Sequence, residues 1–220
     1  MTQSALIPTP ATDNTEAALH SPKRMAILEA ASKLFVNQGF GNVSVDAIAA
    51  EAQVSKRTVY SHFENKEALF GGVMTAVCEK HGGQAGCPMS GEDLVRYMPM
   101  EEMLQKTGEH VLGIITAPET IDVFRVVIGD AGRFPDLGQN FYAFGPASMI
   151  EIITEYLAGK SKTGELVIDD PEKAAKHLLG LMVFPVQMEL ACGARQSVTK
   201  DDVSEIVSDA LTAFLKIHKP

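Results

Sequence analysis

The chain has 220 residues, a formal net charge of −9 at pH 7 and a hydrophobic fraction of 45%. These values are typical of a folded globular protein, and they exclude a wholly disordered chain. The acidic balance also excludes a protein that is coated with nucleic acid along its whole length.

The first eighty residues predict a flexible tail followed by four helices. Residues 1–20 are rich in polar residues and Pro and show no apolar periodicity, which is typical of a flexible tail. Apolar residues then recur with helical spacing in four segments. Ser21, Ser44 and Ser55 are expected to cap the first three, and the fourth is expected to begin around residues 65–67.

The rest of the chain also predicts helices, separated by Gly and Pro. A Gly-rich loop covers roughly residues 82–91, and no later segment shows the period-2 alternation of a strand. The fold class is therefore predicted to be all-α. The expected helices of this region are 100–115, 119–131, 137–159, 171–192 and 200–217.

Charge and cysteine content indicate where the protein acts. Residues 21–71 carry a net charge of +1 and residues 72–220 carry −8, so any contact with DNA is expected near the N-terminus. Residues 137–150, the longest stretch without a charge, are too few to span a bilayer. Three cysteines do not indicate a disulfide framework, and no Lys or Arg precedes Lys23. We therefore expect a cytoplasmic protein without a signal peptide.

Residues 44–63 carry the most informative pattern. They predict two short helices joined by a tight turn at 52–54, and a third helix at 23–38 against which both can pack. Val59 and Phe63 would face inward. The outward face of the second short helix carries side chains that reach phosphates and base edges in a major groove. A merely solvated polar face remains the alternative. The outward residues are Lys56, Arg57, Thr58, Tyr60 and His62.

Residues 27–70 closely resemble the N-terminal domain of TetR-type (tetracycline-repressor family) transcriptional regulators. The matching motifs are A-x-x-L-F, G-F, I-A-x-x-A, V-S-x-x-T-x-Y-x-H-F and K-E-x-L. The resemblance implies a three-helix helix-turn-helix domain over residues 21–70. It also implies that helix four joins this domain to a larger helical domain over 71–220, which binds a ligand and dimerises.

The resemblance further implies roles for single residues. The front of the recognition helix would face bases or nearby phosphates, and later residues would contact the sugar-phosphate backbone. Lys66 would hold a phosphate together with the N-terminal amides of helix four. The predicted DNA-binding set is Ser44, Ser55, Lys56, Arg57, Thr58, Tyr60, His62 and Lys66.

Residues 124–146 and 164–182 resemble the C-terminal region of AefR-like members of this family. In the family, the last two helices of each subunit form the dimer interface. The chain would therefore act as a homodimeric repressor on a palindromic DNA operator, and an unidentified small-molecule inducer would release it. The apolar residues expected at the interface are Leu178, Leu181, Met182, Val203, Ile206, Val207, Ala210, Leu211 and Phe214.

The ligand pocket has a weaker signal in the sequence. Large apolar residues and a few polar ones recur between residues 110 and 184, and ordinary core packing is the alternative explanation for them. The candidate pocket residues are His110, Phe124, Arg125, Phe134, Phe141, Tyr142, Met149, Met182 and Phe184.

Two other classes of function compete with a ligand-released repressor. Cys78, His81 and Cys87 could bind a metal or sense thiol oxidation, but a structural zinc site needs four ligands and no fourth is evident. The sequence contains no common catalytic motif, so an all-α enzyme with a DNA-binding module is the remoter alternative. We therefore predict no enzymatic activity and no cofactor.

Overall fold

The computed structural model describes residues 21–83, 87, 89 and 97–220. The expected tail at 1–20 and most of the Gly-rich loop lie outside these residues. All regular structure in the described part of the chain is helical, which confirms the predicted all-α class. None of these helices combines the length and hydrophobicity that crossing a membrane requires.

Ten α-helices are present in the described residues, and their positions follow the predicted segments closely. Local signals explain the starts of the first four, because the predicted caps Ser21, Ser44 and Ser55 each accept a hydrogen bond from the backbone N–H three residues ahead. Asn65 caps the fourth in the same way. The helices are α1 Pro22–Gln38, α2 Val45–Glu51, α3 Lys56–His62, α4 Lys66–Lys80, α5 Met100–Ile115, α6 Pro118–Asp130, α7 Pro135–Tyr142, α8 Ser148–Lys162, α9 Pro171–Ala191 and α10 Lys200–His218.

The segment expected as one helix at 137–159 contains a wider turn. α7 continues through a π-helical turn at Ala143–Ala147 into α8, and this turn contains Pro146. Proline has no N–H to donate, and its ring crowds the carbonyl one turn earlier. A π-helical turn relieves that crowding without ending the helix.

The N-terminal core extends into the rest of the molecule. The rings of Phe35, Phe40 and Phe70 pack with centroids 5.4–5.6 Å apart, and all three side chains are buried. The same cluster includes Val127 of α6 and Leu137 of α7. α4 also runs across the boundary expected at residue 70. The N-terminal three-helix unit is therefore joined to the larger unit by packed side chains as well as by the chain.

The second core lies among α5, α8, α9 and α10. Its centre is tightly packed at Gly108 of α5. A Cβ at this position would lie 2.6 Å from Val207 Cγ1 and 3.0 Å from Met182 Sδ. The absence of a side chain at Gly108 therefore allows α5 to approach α9 and α10 closely.

Candidate nucleic-acid interface

The helix-turn-helix forms as its residue pattern predicts. Val59 and Phe63 are buried against α1 and α4, whereas Arg57 is exposed and Tyr60 is 48% exposed on the opposite side of α3. Ser55 Oγ accepts from the Thr58 N–H at 3.0 Å, so the first turn is capped. α3 thus presents its polar side to solvent, and its apolar side packs against the rest of the domain.

One acidic residue on this surface was not singled out from the sequence. Asp46, in the first turn of α2, accepts a hydrogen bond from Lys56 Nζ at 2.9 Å, and both side chains are exposed. This hydrogen bond and the carboxylate charge raise the pKa of Lys56. In the DNA-free protein, the ammonium of Lys56 therefore already has an anionic partner.

The turn between α2 and α3 has an unusual backbone conformation. Gln53 has φ +55, and it is the one residue other than Gly with positive φ in the described part of the chain. The left-handed region crowds a Cβ against the backbone and is disfavoured for Gln. The tight turn is closed by a backbone hydrogen bond from Val54 N to Ala49 O at 2.9 Å.

Lys66, expected to contact a phosphate, also has partners within the fold. Its Nζ donates to the carbonyl oxygens of Phe40 at 2.9 Å and Val43 at 3.1 Å, and lies 4.3 Å from the centroid of the Phe40 ring. The side chain is only partly exposed. Tertiary packing brings two carbonyls of the α1–α2 connection to the ammonium, so in the DNA-free protein two of its three donors are already paired.

The end of α6 meets the same connection from the other side. Phe134 packs edge-on against Phe40, with centroids 5.1 Å apart. Asp130 Oδ2 accepts a hydrogen bond from the Gly41 N–H at 3.3 Å. The larger domain therefore contacts the DNA-binding domain through an aromatic pair and a carboxylate, and Asp130 too was missed by sequence reasoning.

Comparison with known proteins agrees with this geometry. Residues 27–73 match the family described as bacterial regulatory proteins, tetR family. Residues 102–220, more than half of the chain, match the AefR-like transcriptional repressor C-terminal domain. The chain belongs to the TetR family. Both resemblances expected from the sequence are thus confirmed.

Individual relatives extend the similarity over different lengths. The regulator UidR of Escherichia coli K12 is 34% identical over 88 residues, which cover 40% of this chain and 44% of UidR. The chain thus matches less than half the length of that curated relative. Mb1581 of Mycobacterium bovis, an uncharacterised HTH-type regulator, is 26% identical over 207 residues, covering 91% of this chain and 92% of Mb1581.

Solved structures match almost the whole chain. A TetR-family regulator from Mesorhizobium loti has a TM-score of 0.75 and 26% identity, and the match covers 96% of this chain and all of that one. The flavonoid-responsive regulator FrrA has a TM-score of 0.74 and 30% identity, with coverage of 90% and 97%.

The residues predicted to line a ligand pocket do not converge in this TetR-family chain. Phe134 contacts the DNA-binding domain, Met182 is buried in the second core, and Tyr142 and Phe184 are mostly exposed. Only some of these residues lie next to one another. The prediction rested on helical spacing, which does not tell whether an apolar side of a helix faces a cavity or the core. The ring centroids of Phe124 and Phe141 are 6.1 Å apart, and Met149 packs on the second core. Arg125 donates hydrogen bonds to the Leu190 and Ala191 carbonyls, and His110 is hydrogen-bonded to the Gly83 carbonyl.

A different cleft lies between α4 and the end of α7. It is a shallow groove of about 450 Å³ that is largely open to solvent. Its walls combine apolar residues with three polar ones, which is the usual chemistry of a small-molecule site. The lining residues are Glu67, Ala68, Gly71, Met74, Thr75, Asn140, Ala143 and Phe144.

Most of the residues predicted for the dimer interface are buried within one subunit. Six of the nine side chains fill the core among α5, α8, α9 and α10. They are not available at the surface, so their assignment to the interface is wrong. The helical period identified an apolar face correctly, but that face packs on the chain's own domain. The six are Leu178, Met182, Val207, Ala210, Leu211 and Phe214, and the other three, Leu181, Val203 and Ile206, retain exposed surface.

α9 has a second apolar face, which the described part of the chain leaves uncovered. Leu181, Phe184 and Met188 are 46%, 66% and 38% exposed. They recur at three- and four-residue intervals, so they lie on one side of the helix. Exposed large apolar residues in a row mark a protein–protein contact more often than isolated ones do.

The cysteine cluster does not form a metal site. Among residues 21–83, 87, 89 and 97–220, no three His, Cys, Asp or Glu side chains come together as metal ligands. His81 Nε2 lies 3.4 Å from Glu119 Oε2. Burial raises the pKa of the Cys78 thiol, which disfavours the reactive thiolate. The metal- or thiol-responsive alternative gains no support from this arrangement, and we do not propose it.

Proposed function

We propose that this TetR-family regulator represses transcription by binding a palindromic operator as a homodimer. The observation that carries the proposal is the division of α3 into a buried apolar side and an exposed side with Lys56, Arg57 and Tyr60. Such side chains bind base edges and phosphates. A two-fold dimer would place two copies of α3 about 34–36 Å apart, in successive major grooves.

Electrophoretic mobility shift with palindromes from the gene's own upstream region tests this proposal. We expect one palindrome to be bound much more tightly than a scrambled duplex of the same composition. Arg57→Gln should reduce that preference by roughly 1–3 kcal/mol, whereas Glu29→Gln, an exposed charge on α1, should not change it. Equal affinity for the palindrome and the scrambled duplex would contradict the proposal.

The exposed face of α9 is the surface that we assign to the second subunit. Leu181, Phe184 and Met188 form a continuous apolar row, and a two-fold axis would pair this row with its own copy. Pairing would remove these side chains from water without any change to the core of the subunit. α10, which packs against α9, would complete the contact.

We further propose that a small aromatic ligand binds the cleft between α4 and α7 and lowers operator affinity. Met74 and Phe144 would contact its ring system, while Glu67, Thr75 and Asn140 offer hydrogen bonds to hydroxyl groups. The similarity to FrrA, a flavonoid-responsive regulator, favours flat hydroxylated aromatics as the first compounds to test. A ligand between these helices would change how α4 packs and therefore where the attached DNA-binding domain lies.

Gly71 provides a direct test of this cleft. A Cβ at Gly71 meets nothing within 4 Å, so a side chain can start from this position into the cleft, and we expect Gly71→Leu to occupy part of it. Gly113 of α5 is equally open and lies elsewhere, so Gly113→Leu is the matched control. We expect a panel of flavonoids to release wild type and the control from duplex DNA but not Gly71→Leu. Equal release of all three proteins would place the ligand elsewhere.

A further inference from the structure

The first residue of α3 is held both at its backbone and at the end of its side chain. Lys56 begins the helix, and the Ser55 cap fixes this turn through contacts with the Thr58 N–H at 3.0 Å and the Thr58 hydroxyl at 2.8 Å. The ammonium of Lys56 donates to Asp46 Oδ2 at 2.9 Å. The pair therefore joins the start of α3 to the first turn of α2.

The pair lies on the surface and leaves part of the ammonium available. The side chains of Lys56 and Asp46 are 51% and 67% exposed. Among the described residues, neither side chain has a second hydrogen-bonded or ionic partner. An ammonium has three donors, so two remain while the pair is kept. Lys56 can thus donate to an outside acceptor without leaving Asp46.

DNA offers two kinds of acceptor to such a lysine. A phosphate accepts from it in any sequence, whereas the edge of guanine presents the O6 and N7 acceptors side by side in the major groove. If Lys56 left Asp46 for a phosphate, the pair would be lost and an unpaired carboxylate would lie beside the negatively charged backbone. A guanine edge that is reached with the pair intact carries neither cost. Asp46 therefore favours a base contact over a phosphate contact.

We propose that Asp46 is a positioning residue that determines specificity, because it holds the ammonium of Lys56 toward base edges, guanine above all, and away from phosphates. The inference rests on the proposed DNA-binding function. Asp46 acts through Lys56 and donates nothing to DNA itself, since a carboxylate only accepts hydrogen bonds. Its removal should let a flexible lysine bind the nearest phosphate of every sequence.

The ratio of two affinities tests this role. Mobility shift measures binding of the preferred palindrome and of a scrambled duplex at one salt concentration. We expect Asp46→Asn to bind the scrambled duplex about tenfold more tightly per dimer and the palindrome no more tightly, so that the preference falls about tenfold. Adding Lys56→Gln to Asp46→Asn should abolish the gain on the scrambled duplex. An equal gain on both duplexes would overturn the proposal.

Glu51→Gln is the matched control, because it removes the same charge from the same helix. Glu51 accepts from Lys33 Nζ at 2.6 Å in another exposed pair, which does not include Lys56. We expect its preference for the palindrome to equal that of wild type, and a loss as large as in Asp46→Asn would also overturn the proposal. A wild type without any preference would instead contradict the operator proposal, so the two failures are distinguishable.

Heparin provides a test that needs no operator, since it presents sulfates and no base edges. Asp46→Asn should elute from immobilised heparin at a higher salt concentration than wild type and Glu51→Gln, because its Lys56 is free to bind sulfate. The double variant Asp46→Asn/Lys56→Gln should lose this gain. Elution of Asp46→Asn together with Glu51→Gln would show that the carboxylate does not restrain Lys56, and would refute the positioning role whatever DNA the protein prefers.

Discussion

Replacing Phe184 by Ser tests whether the exposed face of α9 joins two subunits. Phe184 is 66% exposed in the single subunit. A large aromatic side chain has about 200 Å² of surface, so dimerisation would remove roughly 130 Å² per copy from water. At about 25 cal/mol per Å², that burial stabilises the dimer by about 3 kcal/mol per copy. The two-fold axis uses the residue twice, so the dimer dissociation constant should rise by up to about four powers of ten.

Ile128 of α6 provides a matched control, because it is apolar and also 66% exposed but lies outside the α9 face. Sedimentation equilibrium over nanomolar to micromolar concentrations measures the dissociation constants of wild type, Phe184→Ser and Ile128→Ser. Circular dichroism establishes that all three proteins are equally helical. We expect only Phe184→Ser to become monomeric in the micromolar range.

Two results would refute this reasoning. Unchanged dimerisation of Phe184→Ser would show that the exposed row on α9 is not the interface. A larger effect of Ile128→Ser would place the interface on α6. In either case the second subunit would have to cover a surface other than Leu181, Phe184 and Met188.

Three further substitutions test other parts of the structure. Gln53→Gly should raise the free energy of unfolding in urea by about 1 kcal/mol, because glycine adopts φ +55 without the crowding of a Cβ. Asp46→Asn frees Lys56, so fluorescence anisotropy with any duplex should show a salt slope steeper by up to about 0.9 per subunit, and Lys56→Gln should abolish the gain. Burial raises the pKa of Tyr156 to about 12, from about 10 in the unfolded chain. The unfolded chain loses the Tyr156 proton at a lower pH than the folded protein does, so the free energy of unfolding should fall by about 3 kcal/mol between pH 10 and pH 12. Urea titrations across this pH range should show that fall in wild type, and Tyr156→Phe should remove it.

Much of the DNA-binding domain was predictable because its signals are local. Ser44 and Ser55 cap helices through bonds to residues three positions ahead, and Val59 and Phe63 lie one helical turn apart. Such contacts depend only on helical geometry and on the identity of a few neighbouring residues. For the same reason the helix boundaries after residue 100 agree with the predicted ones, apart from the π-helical turn at Pro146.

The hydrogen bonds of Lys66 and the faces that the last two helices bury were decided by packing. The hydrogen-bond partners of Lys66 lie 26 and 23 residues away in the chain, and no local pattern reports such distant contacts. The period of α9 likewise indicates two apolar faces, around Leu178 and around Phe184. Only the arrangement of α5, α8 and α10 decides that the first is covered within the subunit and the second remains exposed in the described part of the chain. A helix repeats its contacts every turn, so its sequence determines which residues share a face, whereas the neighbour that covers each face depends on how all the helices pack together.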